Sequence, residues 1–339
     1  MTETASCRRV AILTHTGRGE AVRAATRLIE GLNAAGIVCA LPREDVADLG
    51  VEGALVEQLP LADGGAASVS DFELLVVLGG DGTILRGAEW VVESETPLLG
   101  VNLGHVGFLA EAESSELDLI CRSIIDRSYR VEERLTIDVS IRAGSPDRAD
   151  GDPDRGGRDD EDAEVIWSSF AVNEVSIEKG ARERMLEVVA EVDDRPLSRW
   201  ACDGVLVATP TGSTAYAFSA GGPIIWPGVE ALLLLPLSAH ALFARPMVLG
   251  PSSHVVIELL EHSATDGVVW CDGRRSVPLE RGQVVHVVQG RHRLKLARLS
   301  EAPFSDRLVR KFGLRVEGWR GSARLAPVLE PVGGEPRAG

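Results

Sequence analysis

Residues 9–14 (RVAILT) form a short apolar run of the kind that makes a buried strand, and apolar positions then recur at helical spacing from residue 20 to 35 before Gly36 ends the pattern. A second strand is predicted at 37–41, a third at 72–78 (FELLVVL), a fourth at 97–101, and a further helix at 117–125. The third run is apolar enough to be covered on both faces, as in a parallel sheet. Together these elements predict an open α/β sheet over residues 1–132. From residue 133 the texture changes to alternating, β-branched segments at 135–141, 170–177, 186–192, 205–208, 255–260, 267–270 and 284–288. Period-two strands separated by turns predict a β-rich second domain over 133–299. A last helix is predicted at 306–312, and residues 323–339 read as a tail.

Composition adjusts this picture in three places. With 45% hydrophobic residues, a chain of 339 can bury a large core and form two domains. The formal charge of −16 argues against nucleic-acid or anionic-membrane partners. That charge is uneven: residues 144–164 hold nine acids against three arginines and read as a disordered insertion between strands. The five cysteines include no CxxC pair, so neither a zinc site nor a disulfide framework is expected, and the polar start carries no signal peptide pattern. Residues 231–244, the longest apolar run, are too few to span a membrane and contain Pro236 and His240. A cytoplasmic protein is the expectation.

Only three lysines occur, and there is no GxxxxGK[ST], so any phosphate chemistry must use other groups. The candidate is Gly79-Gly80-Asp81-Gly82-Thr83, which ends a buried strand and opens a helix. Glycines there let a ligand approach the backbone, and the helix N-terminus offers N–H groups to phosphate. Strand ends of open α/β sheets are where ligands bind. Asp81 could accept a hydroxyl proton or hold magnesium, or simply cap the helix. A second glycine-rich loop, 208–222 (ATPTGSTAYAFSAGG), carries hydroxyls and Tyr216 and predicts a helix of small residues. Between them lies 101–111 (VNLGHVGFLAE). Asn173 and Glu174 are adjacent polar residues in an apolar strand, which suggests a strand end at a site, or a solvated edge. Asp203 and Asp272 each precede glycine, a common turn dipeptide. The seven histidines form no HxxxH or HExxH pattern.

Taken together, these segments resemble the NAD kinase family. GGDGT at 79–83, NLGHVGFL at 102–109, NE at 173–174, and DG followed by TPTGSTAY between 203 and 216 occur in the family's order. GGDGT alone is shared with diacylglycerol and sphingosine kinases. The resemblance implies an α/β N-terminal domain with a β-rich C-terminal domain, NAD between them, and a segment over 300–322 that packs back on the first domain. It implies phosphorylation of the adenosine-ribose 2′-hydroxyl of NAD, with ATP or polyphosphate as donor and a divalent metal, Mg2+, with no residue assigned as its ligand. Asp81 would be the proton acceptor and Gly82 would approach the dinucleotide. Arg86 would neutralise phosphate, and Asn173 and Glu174 would hold ribose hydroxyls. Arg184 and Asp203 would line the pocket, while Thr214, Ala215, Tyr216, Ala217, Phe218 and Ser219 would wrap the adenosine end. A homodimer or homotetramer is implied, with residues 231–244 as an interface. The chain departs from the pattern at Arg274, where the family often has glutamine, and in its acidic insertion. Two other readings compete: a lipid kinase sharing GGDGT, and a regulator that binds NAD or NADP without reacting.

Overall fold

The computed structural model describes residues 7–51, 53, 55–61, 67–103, 107–113, 116–144, 163–299 and 303–314. The acidic insertion lies outside them except at its ends, as do His105, the tail, and the end of the returning segment.

The first domain runs β1 (Arg9–Leu13), α1 (Gly19–Ala34), β2 (Val38–Pro42), α2 (Arg43–Leu49), β3 (Val56–Leu59), β4 (Leu74–Leu78), α3 (Asp81–Val91), β5 (Leu98–Asn102), β6 (Ala112–Glu113), α4 (Leu117–Ile125) and β7 (Arg130–Arg134). Strands β2, β4 and β5 are buried at every position, as a sheet covered on both faces requires. On α1 the buried residues Ala21, Ala24, Ala25, Leu28, Ile29 and Leu32 follow a single helical stripe. The short helix α2, absent from the sequence reading, stops at Gly50 with φ of 62°, a left-handed position suited to glycine.

The second domain contains β8 (Ile137–Arg142), β9 (Val165–Ala171), β10 (Glu174–Lys179), β11 (Leu186–Val192), β12 (Arg195–Cys202), β13 (Gly204–Ala208), the one-turn α5 (Tyr216–Ser219), β14 (Leu232–Leu237), β15 (Met247–Leu249), β16 (Val255–Leu259), β17 (Gly267–Cys271), β18 (Arg275–Leu279) and β19 (Val284–Gln289). It forms two six-stranded sheets, ordered β15-β14-β13-β10-β17-β18 and β12-β11-β16-β19-β8-β9. Their inner faces meet in one core that includes Val139, Ile177, Val188, Trp200, Val207, Leu234 and Val285. The outer face of the first of these sheets is covered too, where Leu206, Leu233 and Leu235 pack under Ala217 and Ile225.

The chain then returns. Strand β20 (Leu294–Arg298) enters the first sheet, whose order is β3-β2-β1-β4-β5-β20-β7, and α6 (Phe304–Phe312) follows. An expected boundary at residue 132 therefore falls inside β7, and residues 294–298 belong to the first sheet rather than the second domain. Val172 and Phe170 join the core of Leu75, Val77, Ile84 and Leu98, so the domains share packed apolar surface.

Two expectations need correction. The predicted strand over 170–177 is two strands in different sheets, because the chain crosses between sheets at Val172-Asn173. Of residues 231–244, the first six are buried in or beside β14, so the apolar run is not exposed as a unit, while Ser238 and residues 240–243 are exposed.

Candidate functional site

Asp81 is the first residue of α3, preceded by Gly80 at the N-cap. Its carboxylate accepts the amide N–H of Phe108 at 3.1 Å on Oδ2 and that of Leu109 at 3.2 Å on Oδ1. The third glycine-rich segment thus wraps the acid of the first, and a Cβ at Gly107 would run into that carboxylate. Gly82 is exposed, and a Cβ there would meet nothing within 4 Å, so its backbone is open to a ligand. The first amides of α3 have no partner within the helix, which directs them, with the positive end of its dipole, at the same space. Arg86 is half-buried on α3 beside Asp45 of α2. Burial pushes the Asp45 carboxyl up to about 6, against the opposing pull of Arg86.

Asn173 and Glu174 sit where the chain passes from β9 to β10. Asp272, 8% exposed, holds that corner: its carboxylate accepts the amides of Val172 and Asn173 at 2.7 to 3.0 Å and pairs with Arg275 at 3.0 Å. Asp272 and Gly273 both have positive φ, 54° and 61°, in the β17–β18 turn, so the turn reading is right and a second role is added. Arg274 and Arg275 reach Glu89 of α3 at 3.1 and 3.2 Å, tying the helix that begins with Asp81 to the turn that fixes Asn173. Arg274 is therefore an interdomain contact.

Glu174 is 7% exposed. One side of its carboxyl receives the Tyr216 amide, and Oε2 has no hydrogen-bond partner among the described residues. Burial first, then repulsion from Asp272, pushes it up to about 8. Its neighbours on the same strand face, Ser176 and Glu178, hydrogen-bond each other at 2.7 Å.

Beside them lies a cavity of about 660 Å³ lined by residues that include Glu178, Lys179, Arg182, Asp203, Tyr216 and Ser219. Asp203 stands at a second crossing between sheets, from β12 to β13, and pairs with Lys179 at 2.5 Å. Burial and the carboxylates of Glu178, Glu174 and Asp203 raise the Tyr216 phenol, which puts its ring among those acids. A pocket walled by carboxylates and one aromatic ring suits a ligand with sugar hydroxyls and a flat base.

The predicted segment 214–219 divides. Tyr216 and Ser219 line this cavity, and Ala217 is buried in the core beneath. Phe218 packs its ring against that of Phe312, tilted, with centroids 4.6 Å apart. Thr214 lies with Phe108, Leu109 and Phe304 along the seam between domains. Ala215 joins the 3-10 turn Gly212–Thr214 to α5, so the expected helix of small residues is two short turns. Gly212 fits tightly: a Cβ would strike the backbone of Asn173. Arg184 is exposed in the β10–β11 turn and does not line the cavity, where Arg182 stands instead. The sequence reading missed Glu178, Lys179 and Arg182, although Glu174, Ser176 and Glu178 repeat with period two in an otherwise apolar strand.

Comparison with known proteins bears on this arrangement. The ATP-NAD kinase N-terminal domain family matches residues 10–129, and the ATP-NAD kinase C-terminal domain family matches residues 172–299. The chain belongs to the NAD kinase family. It is 50% identical over 316 residues to the NAD kinase of Thermobifida fusca, covering 93% of this chain and 92% of that one. To NAD kinase 2 of Streptomyces coelicolor it is 46% identical, covering 93% and 97%. Its fold is similar to a crystal structure of yeast NADH kinase complexed with NADH, with TM-score 0.75 at 22% identity over 93% of this chain and 90% of that one. An NAD kinase from Archaeoglobus fulgidus in complex with ATP aligns with TM-score 0.62 at 23% identity, over 90% and 97%. These matches support the NAD kinase reading and not the lipid-kinase alternative.

Proposed function

We propose that this protein transfers a phosphoryl group from ATP to the adenosine-ribose 2′-hydroxyl of NAD, giving NADP. The observation that carries the reading is Asp81 at a glycine-flanked helix start, its carboxylate oriented by the amides of Phe108 and Leu109. Asp81 accepts the proton of the attacking hydroxyl as that oxygen bonds the terminal phosphorus, and the bridging oxygen leaves with ADP. Phosphoryl transfer needs mainly in-line positioning and neutralised charge. Arg86 and the first amides of α3 supply the latter without a P-loop lysine. Asn173, Glu174 and Asp203 hold ribose hydroxyls, and Tyr216 and Ser219 contact the adenosine. ATP is favoured as donor by the family's name and by the ATP complex of the Archaeoglobus relative; polyphosphate remains the alternative donor in the reading.

The donor set suits magnesium brought by the nucleotide. Magnesium keeps several waters and takes one or two carboxylates plus phosphates. Among the described residues no group of three or more His, Cys, Asp or Glu could cage a metal, while Asp81 offers one carboxylate beside the phosphate-facing glycines. Bound there, the ion would neutralise phosphate charge.

We place the enzyme in the cytoplasm: no helix among the described residues is long and apolar enough to cross a membrane, and the five cysteines are free. We also propose a homodimer or homotetramer, for which exposed Leu242, Phe243 and Val248 provide apolar surface. The test is product formation from NAD with ATP, with polyphosphate, and with diacylglycerol replacing NAD. NADP from the first or second mixture supports the reading. Turnover of the lipid alone, or binding of NAD without product, overturns it.

A further inference from the structure

We propose that Arg307 is a positioning residue for Asp81, acting through a single peptide unit. The idea rests on Asp81 being the base, and it concerns what keeps that carboxylate aimed. Arg307 lies on α6, and its Nη1 donates to the carbonyls of Phe108 at 3.2 Å and Ala110 at 3.4 Å. The Phe108 carbonyl and the Leu109 N–H belong to the same planar unit and, in a trans peptide, point in opposite directions. That N–H is the one donated to Asp81 Oδ1. Guanidinium, peptide and carboxylate therefore form one line, with a positive charge at one end and a negative charge at the other. Hydrogen bonds chained in this way polarise one another. Turning the Leu109 N–H away from Asp81 would also pull the Phe108 carbonyl off the guanidinium.

Such a brace has a reason to exist. Gly107 must be small because a Cβ would strike the carboxylate, and a glycine there leaves the loop free to rotate. Arg307 holds the loop from behind, and is itself held. Its Nη2 bonds Glu111 Oε2 at 2.5 Å, and Arg298 reaches the same oxygen at 2.9 Å. The other oxygen of Glu111, whose side chain is 1% exposed, accepts the Leu299 amide. Phe304 and Phe312 of α6 flank the Phe108 ring, with centroids at 6.1 and 5.7 Å. A lysine could pair with Glu111 but lacks the planar fork that grips two carbonyls and a carboxylate together.

The test compares Arg307→Ala, Arg307→Lys, Asp81→Asn and the double variant Asp81→Asn/Arg307→Ala by steady-state kinetics, with NAD affinity measured separately by calorimetry. We expect Arg307→Ala to lower kcat about tenfold or more while KM for NAD stays within about threefold. Guanidinium added below denaturing concentration should restore part of the rate, and Arg307→Lys should remain impaired. On the Asp81→Asn background Arg307→Ala should cost less than about twofold. If the same fold-loss appears on both backgrounds, if only KM rises, or if kcat is unchanged, Arg307 merely anchors α6 and the proposal is wrong. Should Arg307→Ala fail to fold, Arg307→Lys carries the same comparison. A fully active Asp81→Asn would instead overturn the base assignment, an outcome distinct from failure of the brace.

Discussion

Glu174→Gln isolates a carboxyl in the site whose affinity for its proton is strongly raised by burial. The substitution keeps the shape and removes the charge. In the folded protein the carboxyl titrates near 8, against an ordinary 4.5, chiefly because it is buried and secondly because it faces Asp272. A raised folded-state value gives a definite sign. Below about 4.5 both folded and unfolded chains carry the proton, and Glu174 costs nothing. Between 4.5 and 8 the unfolded chain has lost it and the folded chain has not, so stability falls with rising pH, and above 8 the penalty is constant. At about 1.4 kcal/mol per unit the span caps the penalty at roughly 4 to 5 kcal/mol. Water entering from the adjoining cavity to the unpartnered Oε2 will reduce this, and about 2 kcal/mol is expected. Urea unfolding of ligand-free parent and variant at pH 5, 6, 7 and 8, followed by tryptophan fluorescence, measures the difference. The parent should lose about 2 kcal/mol relative to the variant across that range, with Asp45, titrating near 6, cancelling because both chains carry it. Parallel profiles would refute the reasoning.

Other consequences follow from single contacts. Gly212→Ala should weaken NAD binding about tenfold or more and lower thermal stability, since its Cβ meets the Asn173 backbone rather than a yielding side chain; unchanged calorimetric affinity would contradict the tight fit. Burial pushes the thiols of Cys39, Cys202 and Cys271 up to about 12, whereas Cys7 is exposed, so alkylation at pH 8 read by mass spectrometry should label Cys7 and spare those three in the native protein. Proton release on NAD binding near pH 7 is expected if ribose hydroxyls donate to Glu174 and favour its charged form; equal binding heats in buffers of different ionisation enthalpy would argue against it.

Periodicity decided which parts of this fold could be read from the sequence. The 186–192 strand was found at its observed bounds because its side chains alternate between core and outside. Leu232–Leu237 gave no period because both faces of its sheet are covered, and so its apolar run resembled an interface. Arg130–Arg134 and Arg195–Cys202 are hard to read because they lie at sheet edges with half or more of their residues exposed. The break at Val172-Asn173 is imposed by Asp272, 100 residues later, which no local window can see. At the site, glycines and polar residues set in apolar runs marked Asp81, Asn173, Glu174, Asp203 and Tyr216. Arg182, Lys179 and Arg307 reach their places only through tertiary packing, which a turn's spacing does not reveal.

The most direct test of the central claim is the rate of NADP formation by Asp81→Asn and parent at matched NAD occupancy, with magnesium and the donor the parent uses. Asparagine keeps the size and can still accept one of the two loop amides, but it cannot take the hydroxyl proton. The account predicts a loss of about a hundredfold or more, about 2.7 kcal/mol of barrier. A variant that forms NADP within a few-fold of the parent rate would contradict it.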